Sequence, residues 1–168
     1  MKGKIQLLLV FTICAFTIYI IARMGDRITW ARVARGKLQL LPAVPMVDLD
    51  SATFSIPTGE AIVVVLFDTS CDHCGALAQS FRSSFVDTPS VRVVWISIEK
   101  IDDIRNFGVA YDLLGHQNIY FARMNQEAMV AIFGSLATPR IFVYTRDGIL
   151  KEEFKGAVSW VLVNSVLP

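Results

Sequence analysis

Residues 61–74 read AIVVVLFDTSCDHC. The first seven, 61–67, are apolar without interruption and rich in valine, the pattern of a strand buried on both faces. Asp68, Thr69 and Ser70 then supply residue types that cap helices, and 71–86 carries Leu77, Phe81 and Phe85 at helical spacing. Cys71 and Cys74 therefore open a helix directly after a central strand, and a Cys-x-x-Cys in that setting is a redox motif. A helix N-terminus offers unpaired N–H groups and the positive end of a dipole, both of which favour a thiolate over a thiol. In that geometry Cys71 is the exposed nucleophile and Cys74, one turn in, is the resolving thiol. Attack by Cys71 on a disulfide gives a mixed disulfide, which Cys74 breaks by intramolecular exchange. No metal or organic cofactor is required.

The two residues between the cysteines pull in opposite directions. A protonated or hydrogen-donating His73 stabilises a Cys71 thiolate, whereas an ionised Asp72 repels it. Each has a plainer alternative: His73 as a solvated helix residue, Asp72 as an acid that complements the helix dipole.

Working outward, Pro89 ends a connection and 91–98 (VRVVWISI) reads as a second strand. The spacing predicts a helix over 101–114, with Ile104, Phe107 and Tyr111 on one face and Gly115 as its stop. A short extended piece is expected at 119–122. Another helix covers 125–133, with Met129, Ile132 and Phe133 inward and Gly134 past its end. Strands at 140–144 and 149–154 flank Thr145-Arg146-Asp147-Gly148, where Asp-Gly is a strong hairpin signal. A final helix at 157–167 presents Val158, Val161, Leu162 and Val166 at helical intervals. Short apolar runs alternating with amphipathic stretches specify an α/β domain with helices packed over one sheet.

Toward the N-terminus, 5–22 contains no charge and only Gln6, Thr12 and Thr17 as clearly polar side chains, about the minimum length for a spanning helix. A cleaved signal peptide is the rival, but no small-x-small site follows Ile21. Cys14 fits as a small hydrophobe within that span. Arg23, Arg27, Arg32, Arg35 and Lys37 follow the span against Lys2 and Lys4 before it, a count that by itself favours a cytoplasmic domain. The preferred orientation is the reverse, with the short tail inside and the basic stretch around Trp30 along the outer headgroups as an interfacial helix; a solvated basic helix is the alternative. Pro42 and Pro45 interrupt any helix and end a linker. The expected organisation is a tail at 1–4, a transmembrane anchor at 5–22, a basic juxtamembrane segment and linker at 23–50, and one α/β domain at 51–168. A formal net charge of +1 argues against nucleic acid as a partner.

Thr138-Pro139, just before the hairpin, completes a set: strand, Cys71-Asp72-His73-Cys74, intervening helices, Thr138-Pro139, hairpin with Asp147-Gly148, final helix. Over residues 51–168 this resembles the thioredoxin superfamily. With its N-terminal anchor, the chain is most similar to the membrane-attached TlpA/ResA-type thiol-disulfide oxidoreductases of bacterial envelopes. The resemblance implies a central mixed sheet flanked by helices and a cis proline at Pro139 facing the dithiol. It makes Thr138 and Pro139 the loop that pairs with the substrate chain. It implies cysteine-containing proteins as partners through mixed disulfides, an envelope thiol redox partner, and an inner-membrane protein whose domain is periplasmic. Three departures bear on the chemistry. Ser70 stands where a tryptophan usually precedes the first cysteine. Val65 occupies the position of the buried acid that assists the second cysteine in many thioredoxins. His73 before the second cysteine resembles oxidising members. Reductase is the expected direction, with disulfide-forming oxidase as the alternative.

From other classes, Cys71, Cys74 and His73 or His116 make a soft copper or zinc module as a rival, though no second Cys-x-x-Cys or His pair completes a tetrahedral set. An inert disulfide across Cys71 and Cys74 closes too short a loop to be a useful staple. The stretch before Cys71 also lacks the context of a peroxidase nucleophile.

Overall fold

The computed structural model describes residues 13–20, 38–84 and 91–167. Along the chain run β1 (Met46–Asp48), β2 (Thr53–Phe54), β3 (Ala61–Leu66), α1 (Asp72–Ser84), β4 (Val91–Ser97), α2 (Ile101–Ala110), β5 (Ile119–Arg123), α3 (Gln126–Phe133), β6 (Arg140–Tyr144), β7 (Leu150–Lys155) and α4 (Trp160–Ser165). All seven strands join one sheet in the order β2-β1-β5-β4-β3-β6-β7. The apolar run that opens the sequence case becomes a central strand, because β3 has parallel β4 on one side and antiparallel β6 on the other.

Alternation along β3 sends successive side chains to opposite faces. Ala61, Val63 and Val65 join Leu77 and Phe81 of α1, Ile104 and Phe107 of α2, and Trp160 and Val163 of α4 in one core. Ile62, Val64 and Leu66 join Met129 and Phe133 of α3, together with Leu38, Val44 and Met46, in the other. The first core is built on aromatic rings. Trp95 meets Phe67 and Phe81 edge-on at 5.5 and 6.0 Å, and Phe81 meets Trp160 at 4.4 Å. Edge-to-face pairs of this kind add about 0.5–1.5 kcal/mol each beyond the area they bury.

Three elements differ from expectation. The helix predicted over 101–114 ends at Ala110, because Asp112 takes a left-handed φ of 52° with its carboxylate on Arg82, and Leu113 turns into the core. The final helix begins at Trp160, whose ring and Val163 take the inward positions, so Val161 and Leu162 are exposed rather than buried. The sheet also starts ahead of residue 51. Val47 pairs with Arg123, and Asp48 folds the β1–β2 turn by accepting from the Asp50 and Ala52 N–H groups, each at 2.9 Å. Before it, Leu38 is buried, and Gln39 and Leu41 bond the hairpin tip through Leu150 N–H and Gly148 C=O.

The expected anchor at 5–22 lies mostly outside the described residues; 13–20 are helical. Among the described residues no helix is long and apolar enough to cross a membrane.

Candidate functional site

The turn entering α1 is built by its own polar side chains. Asp68 Oδ1 accepts from the Ser70 N–H at 2.8 Å and from the Ser70 hydroxyl at 2.7 Å, while Asp68 C=O accepts from Cys71 N–H at 3.2 Å. Asp68, expected as a helix cap, thus shapes the turn instead. Cys71 C=O then accepts from Cys74 N–H at 2.9 Å and Gly75 N–H at 3.0 Å, closing the first helical turn on the nucleophile position. Cys71 is half-buried at the helix mouth, Cys74 is fully buried behind it, and neither is disulfide-bonded. Asp72 and His73 both face solvent. Water screens whatever field those two side chains exert on the dithiol.

Burial pushes the Cys74 thiol up to about 12, and the neighbouring Cys71 thiol adds to the rise; backbone hydrogen bonding at Asp68 and the Thr138 hydroxyl oppose it. The Thr138 contact brings the downstream loop onto the cysteine pair from 64 positions away in sequence. The Thr138–Pro139 bond is cis, as the resemblance implies, and Pro139 C=O accepts from Gly156 N–H at 2.9 Å. Val65 lies in the middle of β3 between Trp95 and Ile141, so no carboxylate reaches the dithiol from that position.

Sequence reasoning did not single out Glu99. Its carboxylate, just past the end of β4, accepts from Thr69 N–H at 2.8 Å, and its own C=O accepts from Arg123 Nε at 2.8 Å. The neighbouring strands thereby hold the turn that precedes Cys71. Parallel pairing of β3 with β4 foretells that their C-terminal ends lie together, but an isolated glutamate after a strand carries no signal of its partner. Gly75 was missed too: a Cβ there would run into the Tyr111 hydroxyl, so the helix needs glycine next to Cys74.

His116 precedes β5, at the opposite end of the sheet from the turn after β3, so it does not join the cysteines. No group of three or more His, Cys, Asp or Glu side chains able to hold a metal ion occurs among the described residues.

No family model matches this sequence, and no curated protein matches it. Solved structures do. A secreted disulfide oxidoreductase of Mycobacterium tuberculosis, homologous to DsbE of E. coli, is 20% identical, with a TM-score of 0.62 over 77% of this chain and 95% of that one. StoA from Bacillus subtilis is 15% identical, with a TM-score of 0.58 over 76% of this chain and 97% of its own. A thiol-disulfide isomerase from Corynebacterium glutamicum is 18% identical, with a TM-score of 0.60 over 77% and 96%. At such identities the likeness establishes the fold, which is thioredoxin-like: a mixed central sheet with helices on both faces.

Proposed function

We propose that this chain is a membrane-anchored protein thiol-disulfide oxidoreductase that works as a reductase in the bacterial envelope. The observation that carries the reading is the graded exposure of the dithiol: Cys71 reachable at a helix mouth, Cys74 sealed beneath it against Thr138 of the cis-proline loop. That gradient assigns the order of events. Cys71 as thiolate attacks one sulfur of a protein disulfide, forming a Cys71–substrate disulfide and expelling the other sulfur as a thiolate. Cys74 then gives up its proton and attacks Cys71, releasing the reduced substrate and leaving a Cys71–Cys74 disulfide. An envelope thiol partner regenerates the dithiol by the same exchange in reverse.

The likeness to a secreted disulfide oxidoreductase supports this reading, as does the apolar run at 5–22. So does the place where the chain enters the domain. Leu40 bridges Ile149 beside the hairpin tip, and antiparallel pairing of Ile62 with Tyr144 puts that tip at the end of β3 remote from Cys71. In this reading the dithiol faces the periplasm, away from the tether. The protein should accelerate reduction of insulin by dithiothreitol, and Cys71→Ser should abolish the acceleration. Unchanged turnover in that variant would remove the mechanism. A couple more oxidising than glutathione would turn the direction to disulfide formation.

A further inference from the structure

Arg140 follows the cis proline directly and is 7% exposed. A guanidinium so deeply placed has to be paired, and this one is paired on two sides. Its Nη1 donates to Phe133 C=O at 2.6 Å, while Nε and Nη2 both donate to Glu153 Oε1 on β7, Nε at 3.2 Å. The guanidinium also lies 4.9 Å from the centroid of the Phe142 ring.

The arrangement has a particular topology. Phe133 is the last residue of α3 and Arg140 the first of β6, so residues 134–139 form the loop between them, and this loop carries Thr138 and Pro139. The Arg140–Phe133 bond closes that loop at its base, and Glu153 fixes the clamp to the neighbouring strand. Alternation along β6 puts Arg140 on the face of Phe142 and Tyr144, packed with α3, whereas Cys74 belongs to the core on the other face. The Arg140 side chain therefore lies on the other face of the sheet from Cys74. It acts on the site through the loop alone.

We propose that Arg140, seated on Phe133 C=O and Glu153, is a positioning residue for extended polypeptide substrates: it holds the Thr138–Pro139 loop where a substrate backbone meets it, and plays no part in the sulfur chemistry. This deepens the oxidoreductase reading and rests on it. A polypeptide disulfide needs both Cys71 and a correctly placed loop. A small aromatic disulfide needs only Cys71. Misplacing a positioning element by about an ångström costs on the order of 10²-fold where it is used and little where it is not.

The test uses the full chain in detergent, carrying Cys74→Ser so that only the first exchange is followed and Cys14→Ala so that Cys71 is the one thiol left to react. Two probes are compared: 5,5′-dithiobis(2-nitrobenzoate), and an extended peptide whose single cysteine is in mixed disulfide with the same nitrothiobenzoate. Attack by Cys71 on the peptide sulfur forms the Cys71–peptide disulfide and expels the coloured nitrothiobenzoate thiolate, which both reactions release. Arg140→Met is expected to slow the peptide reaction roughly ten- to hundredfold while the small disulfide reacts within about twofold of the parent. Because Arg140→Met leaves Glu153 paired only with Lys155, at 3.5 Å, Arg140→Met/Glu153→Leu is measured beside it; replacing both members of a buried ion pair is often neutral for stability. The double variant should melt near the parent and keep the peptide-selective loss. Equal losses on both probes, or no loss on the peptide in a folded variant, overturn the proposal. If the parent reacts with neither probe, the oxidoreductase reading itself fails.

Discussion

The resolving step should show a steep pH dependence without a plateau. Cys74 is fully buried, and its thiol is pushed up to about 12, chiefly by that burial. At pH 7 only about one molecule in 10⁵ carries the Cys74 thiolate. In the mixed disulfide Cys71 has no thiol to ionise, so its contribution falls away while the burial remains, and the direction of the shift stands. The rate at which Cys74 displaces a group from Cys71 should rise about tenfold per pH unit between about pH 7 and 10. The Thr138 hydroxyl opposes the shift by donating to the sulfur. Thr138→Val should therefore slow resolution by a few-fold across that range, the smaller thiolate fraction being partly offset by a more nucleophilic sulfur. Stopped-flow release of nitrothiobenzoate preloaded on Cys71 reads the step directly, without a peptide that would also engage the loop. A plateau near pH 8, or an unchanged rate in Thr138→Val, would refute the assignment of Cys74 as a buried thiol held by Thr138.

The same shift has a stability consequence: above the ordinary thiol value of 9.0 the unfolded chain releases the Cys74 proton while the folded chain keeps it. The contribution is fully present below about pH 9 and is lost as pH rises toward 12, so denaturant titrations of reduced protein should show a decline over that window that Cys74→Ala lacks. Gly75→Ala drives a methyl group into the Tyr111 hydroxyl and should cost about 1–3 kcal/mol in chemical unfolding, with Tyr111→Phe recovering part of it. Glu99→Ala leaves Thr69 N–H without its carboxylate acceptor and should cost about 1–3 kcal/mol and slow loading of Cys71, whereas Glu99→Gln, which retains an oxygen at that position, should load at close to the parent rate.

How much of this was legible in sequence depended on whether the signal was local. The run at 61–67 and the cysteines after it are contiguous, and β3 and the start of α1 fall where they were expected, while Phe85 and Val86 at the expected end of that helix lie outside the described residues. Asn125 and Gly134 bound α3 as its N-cap and left-handed C-cap, so that helix was read closely too. β1 and β2 have three and two residues, too few for any periodicity, and the prolines before them read as a linker. In the last helix the chosen face was out of phase because the ring of Trp160 outweighs the valines in filling the core. At the site, Cys71 and Cys74 follow from their spacing, whereas the Thr138–Pro139 loop came only by resemblance. Glu99 and Arg140 act through strand pairing and through backbone carbonyls, which leave no mark on neighbouring residues in the chain.

The central claim is that Cys71 forms transient disulfides with other proteins, and trapping tests it most directly. A full-length Cys74→Ser chain, with Cys14→Ala to remove the remaining thiol, would be expressed in bacterial cells, acid-quenched and separated without reductant. Covalent adducts that dithiothreitol releases, that mass spectrometry maps to Cys71, and whose partners are exported cysteine-containing proteins are the predicted result. An absence of adducts, or adducts that persist when Cys71→Ala is added, would contradict it.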